Sequence, residues 1–105
     1  EVALGVKEVL ALPKQRIQDR FQLEGNEGAT VEVFGKITKG MLGYCFIYTN
    51  KESLSFGVGC KLSHFQKTGI RPYDLLETVK QHPAIRRYLI DARAASTAAT
   101  MSAAD

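Results

Sequence analysis

Two cysteines and two histidines are the side chains best suited to act as a nucleophile, a base near neutral pH or a soft metal ligand: Cys45, Cys60, His64 and His82. A Cys–His nucleophile requires an exposed thiol beside an imidazole. Both cysteines instead fall on the apolar side of two predicted strands, where a cysteine is usually an inert hydrophobic residue. Neither histidine stands at a recognised ligand spacing from another Cys, His or carboxylate. We therefore predict no catalytic residue, no metal site, and a structural or capping role for the histidines.

The two cysteines are also predicted to remain free thiols. The sequence contains no CxxC and no signal peptide, which is typical of a reducing compartment and indicates a cytoplasmic location. On the predicted hairpin the cysteines are diagonal neighbours, about 7 Å apart between Cα atoms, at or past the limit for a disulfide. No apolar run reaches the roughly 18 residues that span a bilayer, so we expect no transmembrane segment.

Charge and glycine motifs give little indication of a nucleic-acid or nucleotide partner. The net charge is +3 over 105 residues, and the cationic residues are spread along the chain without a dense patch. Neither GxGxxG nor GxxxxGK[ST] occurs, so the sequence contains no phosphate-binding turn. We predict that the chain has no nucleic-acid partner.

The elements that must position these side chains follow from the hydrophobic pattern, with alternation indicating strands and a spacing of three or four indicating helices. Strands are predicted at residues 1–12, 29–37, 42–49 and 54–62, and helices at 14–23, 71–81 and 83–92. Gly25 is the expected end of the first helix, and residues 38–40 are a predicted turn. The fold class is α+β, an antiparallel sheet of about four strands with two to three helices.

The third and fourth strands are predicted to form an antiparallel hairpin around the short "NKES" loop. A loop of two or of four residues gives the same register, in which Thr49 faces Leu54. One face of the hairpin then carries aliphatic side chains and the thiols, and helices are expected to cover one face of the sheet. The other face carries three rings over Ser-Gly-Gly, pairing Tyr48 with Ser55, Phe46 with Gly57 and Tyr44 with Gly59. The face without helices is expected to be solvated or to cover something large and flat.

The chain divides into a domain at 1–90 and an Ala/Ser/Thr-rich tail at 91–105. The tail has no apolar face, so we expect it to be frayed unless a neighbouring element orders it. The first residues lie in an apolar strand-like run, which suggests that the segment belongs to a larger protein. An exposed edge of its sheet would allow homodimerisation.

Four blocks of the sequence together resemble the middle section of FixC-type flavoproteins, relatives of the electron transfer flavoprotein–quinone oxidoreductases. They are "LGVKEVLALP", "IQDRFQLEGNEGA", "GYCFIYTNKESLSFGVGCKLS" and "PYDLLETVKQHPAIRRYL". The elements "GVKE", "FxYTNxxSLSxG" and "KxHPAI" occur in the order of that family.

The resemblance implies that this segment is the substrate- or quinone-side domain of a larger FAD-dependent oxidoreductase. FAD would be held by an upstream Rossmann-like domain, so the segment alone is not expected to bind FAD or to be active. Electrons would pass from an electron transfer flavoprotein, with a ferredoxin-like partner, to quinone or another acceptor, in a parent protein able to lie peripherally on a membrane. The family's next strand is expected to be replaced by the tail. The alternative from the residues alone is a stand-alone ligand-binding or protein-interaction module.

The resemblance also implies a cofactor-side wall at Gly43 and Tyr44. Relatives carry small residues there, where the quinone head group approaches the backbone, whereas this chain keeps Gly43 but has Tyr44 and Cys45. A tyrosine at this place would narrow the pocket, and its ring could instead simply cover Gly59. Lys7 and Glu8 of "GVKE" could line the same cavity or form a surface ion pair.

Overall fold

The computed structural model describes residues 2–38 and 41–103, so Lys39 and Gly40 of the predicted turn lie outside the described residues. Nine elements follow one another: β1 (Val2–Ala11), α1 (Lys14–Phe21), β2 (Thr30–Thr38), β3 (Met41–Thr49), β4 (Ser53–Lys61), α2 (Leu62–Thr68), α3 (Pro72–Lys80), α4 (Pro83–Leu89) and β5 (Arg93–Ala103).

The five strands form one antiparallel sheet in the order β2–β3–β4–β1–β5. The predicted hairpin register is confirmed along its whole length, from Thr49 opposite Leu54 to Gly43 opposite Cys60. The fold class is α+β, as predicted. The described residues contain one more strand and at least one more helix than the sequence pattern indicated.

β5 is the strand that the sequence pattern did not indicate. It forms from the Ala/Ser/Thr-rich tail and pairs with β1 from Val2 opposite Ala103 to Ala11 opposite Arg93. Because the outer edge of β1 would otherwise leave backbone N–H and C=O groups unpaired, β1 is the neighbour that orders this segment. The expectation that no strand follows the last helix is therefore wrong. The Ala/Ser/Thr-rich composition of the tail gave no apolar face from which a strand could be predicted, but a strand can also be held by backbone hydrogen bonds to its neighbour.

The helix ends explain the other differences. α1 ends before Gly25, because Gln22 already adopts a left-handed φ of 56° and its N–H bonds to the Gln18 carbonyl. α2 spans seven residues, too few for a helical period to be read from the sequence, and Gly69 ends it with a φ of 70°. Pro72 begins α3, since proline at the first helical position loses no hydrogen bond.

One hydrophobic core lies between the helices and one face of the sheet. All four helices contribute buried side chains to it, and so do β1, β3 and β4. Its members are Val6, Leu10, Leu12, Ile17, Cys45, Ile47, Leu54, Phe56, Val58, Cys60, Phe65, Leu75, Leu76, Val79, Ile85 and Leu89. Among the described residues, the opposite face of the sheet therefore has no helix packed over it. We call it the open face; its central residues are Gly5, Lys7, Phe34, Tyr44, Phe46, Tyr48, Ser55, Gly57 and Gly59.

Candidate functional site

Three neighbouring glycines leave part of the open face without side chains of its own. Gly57 and Gly59 lie in β4, and Gly5 of β1 stands directly opposite Gly59. A β-carbon placed on Gly59 would lie 2.5 Å from ring atoms of Tyr44, and one on Gly57 would clash with the ring of Phe46. The prediction that these rings cover the two glycines is therefore confirmed. The hydroxyl of Tyr44 also reaches β1, at 3.4 Å from the place of a β-carbon on Gly5.

Four aromatic rings make the open face largely apolar. Phe46 and Tyr48 are stacked, with ring centroids 5.3 Å apart and planes at 10°. Phe34 of the edge strand β2 lies 6.4 Å from Tyr44 between ring centroids, and 75% of Phe34 is exposed. Aromatic rings prefer offset-stacked or edge-to-face partners. The open face thus offers a surface on which a planar ring system can bind.

A polar group stands at one corner of this surface. Lys7 Nζ lies 5.2 Å from the ring centroid of Tyr48, a distance suitable for a cation–π contact. The pKa of Tyr48 lies below its ordinary value, chiefly because Lys7 hydrogen-bonds to the phenol. Partial burial opposes this shift, while a hydrogen bond from Ser55 and the positive charge of Lys7 add to it. Asn50 Nδ2 in turn donates a hydrogen bond of 3.0 Å to Ser55 Oγ. We name Lys7, Tyr48, Ser55 and Asn50 the Lys7–Tyr48 corner.

The two residues predicted to form the cofactor-side wall occupy different positions in the sheet. Tyr44 lies on the open face, opposite Gly59 and Phe34. Gly43 precedes it in β3 and pairs with Cys60, whose side chain belongs to the helix-covered core. Successive strand residues point to opposite faces, so only the backbone of Gly43 is available beside Tyr44. The role of the pair in ligand binding stays a prediction.

Lys7 and Glu8 do not share a cavity, and the predicted surface ion pair between them is wrong. Because they are consecutive in β1, Lys7 lies on the open face and Glu8 points into the core, where it is 4% exposed. Glu8 forms an ion pair with Lys80 at the end of α3, and Glu77 also lies near that ammonium, at 3.3 Å. Burial alone would lower the pKa of Lys80, but the hydrogen bond and charge of Glu8, assisted by Glu77, raise it above its ordinary value. The sequence offered no signal for this pair, since its members are far apart along the chain.

The cysteines and His82 have the structural roles that the sequence indicated, and the role of His64 stays a prediction. Cys45 and Cys60 are free and buried, and burial raises the pKa of both thiols. His82 caps α4, since its Nδ1 accepts a hydrogen bond of 3.1 Å from the backbone N–H of Ala84. In residues 2–38 and 41–103, no three His, Cys, Asp or Glu side chains are grouped to hold a metal. No helix within the same ranges is long and apolar enough to cross a membrane.

Comparison with known proteins gives consistent matches to one kind of protein. Protein FixC of Azorhizobium caulinodans is 54% identical over 84 residues, which are 80% of this chain and 19% of that protein. Protein FixC of Rhizobium meliloti is 52% identical over 85 residues, 81% of this chain and 20% of that protein. Protein FixC of Escherichia coli K12 is 47% identical over 85 residues, with the same shares of 81% and 20%. This chain is a FixC-like segment. A scan against models of protein families finds no match.

The FixC-like segment spans about one fifth of the length of these relatives. The identity is therefore evidence about this segment, and the greater part of each relative has no counterpart in these 105 residues.

Proposed function

We propose that this FixC-like segment is the quinone-side domain of a FAD-dependent oxidoreductase, in which the open face covers the isoalloxazine ring. The parent protein passes electrons from an electron transfer flavoprotein, with a ferredoxin-like partner, to a quinone or another acceptor. The observation that carries the proposal is the identity of 47–54% to FixC proteins over four fifths of the chain.

The open face supports this assignment by its shape and composition. The helix-covered face is already filled by the core, whereas the open face presents aromatic rings and a corner of polar side chains. Planar, mainly apolar ligands with a few polar atoms suit such a surface. The residues present thus fit the ring end of FAD. They do not fit its phosphates, because the sequence has no glycine-rich phosphate-binding turn.

Two consequences follow for this segment. It does not bind FAD or transfer electrons alone, because the phosphate-binding turn is supplied by another part of the parent protein. Gly43 and Tyr44 form the wall beside the flavin and the acceptor. Since the Tyr44 ring occupies the space above Gly59, this wall leaves a narrower pocket than a glycine at position 44 would.

The test is to express the full reading frame that encodes this segment. We expect the purified full-length protein to contain about one FAD per chain and to reduce a short-chain quinone, and the 105-residue chain to do neither. A full-length protein without flavin, or a reading frame without a glycine-rich strand–turn–helix upstream, would refute the proposal. The open face would then be assigned to a ligand-binding or protein-interaction module.

A further inference from the structure

The outer edge of β2 is open to a further strand. β2 is the first strand of the sheet, and within the described ranges it pairs with β3 alone. Just before β2, the Thr49 N–H donates to the Ala29 carbonyl at 3.0 Å. Residues of an antiparallel pair alternate between hydrogen-bonded and non-hydrogen-bonded positions, and the register is unbroken as far as Lys36. The backbone N–H and C=O groups of Glu32 and Phe34 therefore point outward, away from β3.

Large apolar side chains remain exposed on both sides of this edge. Phe34 lies on the open face and is 75% exposed, and Val33, which points to the helix-covered face, is 40% exposed. The helices therefore leave the edge of β2 accessible. An apolar strand edge of this kind is a template for pairing with another chain.

The sequence around Phe34 is complementary to itself in charge. In "EVFGK", Glu32 stands two residues before Phe34 and Lys36 two residues after it. If two copies of β2 pair antiparallel with Phe34 at the two-fold axis, Glu32 of each copy takes the position opposite Lys36 of the other. The same register places Val33 opposite Gly35, which has no side chain to crowd it. These five positions all precede the register shift in β2.

Neighbouring registers lack this complementarity. An axis at Glu32 would bring two carboxylates directly opposite each other, and an axis at Val33 would put Glu32 opposite Phe34. Opposite charges and aromatic pairs across two strands are stabilising, whereas like charges are destabilising. The axis at Phe34 also lets the outward backbone groups of the two Phe34 residues bond to each other, with Cα atoms about 5.5 Å apart.

We propose that the outer edge of β2 binds a second copy of this chain, by antiparallel pairing of the two β2 strands about Phe34. The two five-stranded sheets then join into one, with their open faces on the same side, because the two-fold axis is perpendicular to the sheet. Phe34 already lies 6.4 Å from Tyr44 between ring centroids, so the aromatic surface continues across the junction. The inference is independent of the proposed function.

The first test is sedimentation equilibrium of the 105-residue chain, which gives the dissociation constant of the dimer. We expect the mass of the wild type to approach twice its 11.6 kDa as the concentration rises. Glu32→Lys should raise the dissociation constant at least about tenfold, because it opposes two cations at both symmetry-related contacts. The double variant Glu32→Lys with Lys36→Glu exchanges the two charges and should dimerise like the wild type. The control Glu52→Lys makes the same charge change at an exposed position between β3 and β4 and should leave the constant unchanged.

The second test fixes the register by oxidation. Phe34→Cys places one thiol of each copy at the axis, where a Cα separation of about 5.5 Å suits a disulfide, so mild oxidation should give a covalent dimer. Thr30→Cys, on the same edge, should not cross-link, because the two thiols would lie on opposite sides of the axis, roughly 27 Å apart along the strands. Cys45 and Cys60 are buried and should not compete.

Each outcome supports or overturns the inference. A wild type that stays monomeric at millimolar concentration overturns it, and so does a dimer that Glu32→Lys does not weaken, as pairing through the outer edge of β5 would give. Failure of the charge-exchanged variant to dimerise, with circular dichroism showing that it is folded, would show that the two charges do not face each other. A dimer that cross-links through Thr30→Cys but not through Phe34→Cys would rule out the axis at Phe34.

Discussion

The contact between the Tyr44 ring and Gly59 can be measured as a coupling free energy. A β-carbon at position 59 would lie 2.5 Å from ring atoms of Tyr44, well inside van der Waals contact. Gly59 is not among the glycines with a positive φ, so its backbone would accept alanine without strain. We expect Gly59→Ala to reduce the free energy of unfolding by about 1–3 kcal/mol, the range for an overpacked site, because the ring must move.

The second substitution removes the ring. Tyr44→Ala should cost about 1–3 kcal/mol, the usual range for losing a packed side chain. In that background the β-carbon of Gly59→Ala meets no ring, so the second change should cost less than about 0.5 kcal/mol. The double variant should thus be more stable than the sum of the single changes predicts, by about 0.5–3 kcal/mol, the range found for residues in contact.

Urea unfolding followed by circular dichroism gives each free energy from the midpoint and slope. Gly28→Ala is the matched control, because its β-carbon would lie 3.4 Å from Thr49 Oγ1, an ordinary contact, and should show no coupling to Tyr44→Ala. Additivity of Gly59→Ala and Tyr44→Ala within about 0.5 kcal/mol would refute the packing of this ring over β4.

Three further predictions concern the core and the cofactor. Lys80→Met should reduce the free energy of unfolding at neutral pH, measured in urea, by about 3–5 kcal/mol, because the buried Glu8 loses its cation. The double variant Glu8→Leu with Lys80→Met should regain most of that lost stability, because no buried charge is left. The pKa of Lys80 in the folded chain is raised above its ordinary 10.5, so the ion pair should contribute its full stabilisation below pH 10.5 and lose it as the pH rises further. A free energy of unfolding that falls no more steeply with pH in the wild type than in the double variant would contradict this. Cys45 and Cys60, buried with raised pKa values, should react with a thiol reagent only as fast as the chain unfolds, and immediate reaction would show an accessible thiol. Adding FAD or a short-chain quinone to the 105-residue chain should leave its melting temperature unchanged, and a rise of several degrees would contradict the assignment of phosphate binding to another part of the parent protein.

Local pattern was sufficient to predict the hairpin and the aromatic face. The period of two in β3 and β4, together with a short loop, fixes which residues face each other, and the observed register agrees at every pair from Thr49 to Gly43. A one-residue shift would have exchanged both faces, so the pattern leaves no second solution.

Contacts between distant parts of the chain could not be predicted in this way. The position of β1 between β4 and β5 depends on pairing that no local period encodes, and β5 itself is held by backbone bonds rather than by an apolar face. That placement decides which face Lys7 and Glu8 take, and so it creates both the Lys7–Tyr48 corner and the buried pair of Glu8 with Lys80. The functional groups that the sequence did not reveal are thus those joined across β1.

The most direct test of the central claim, that the open face covers the flavin, is the flavin fluorescence of the full-length protein. A tyrosine ring beside the isoalloxazine quenches its fluorescence by electron transfer. We expect Tyr44→Leu to increase the intensity and lifetime of the flavin emission, and Tyr73→Leu, at an exposed position on α3, to leave both unchanged. A bound flavin whose fluorescence does not respond to Tyr44→Leu would contradict the claim.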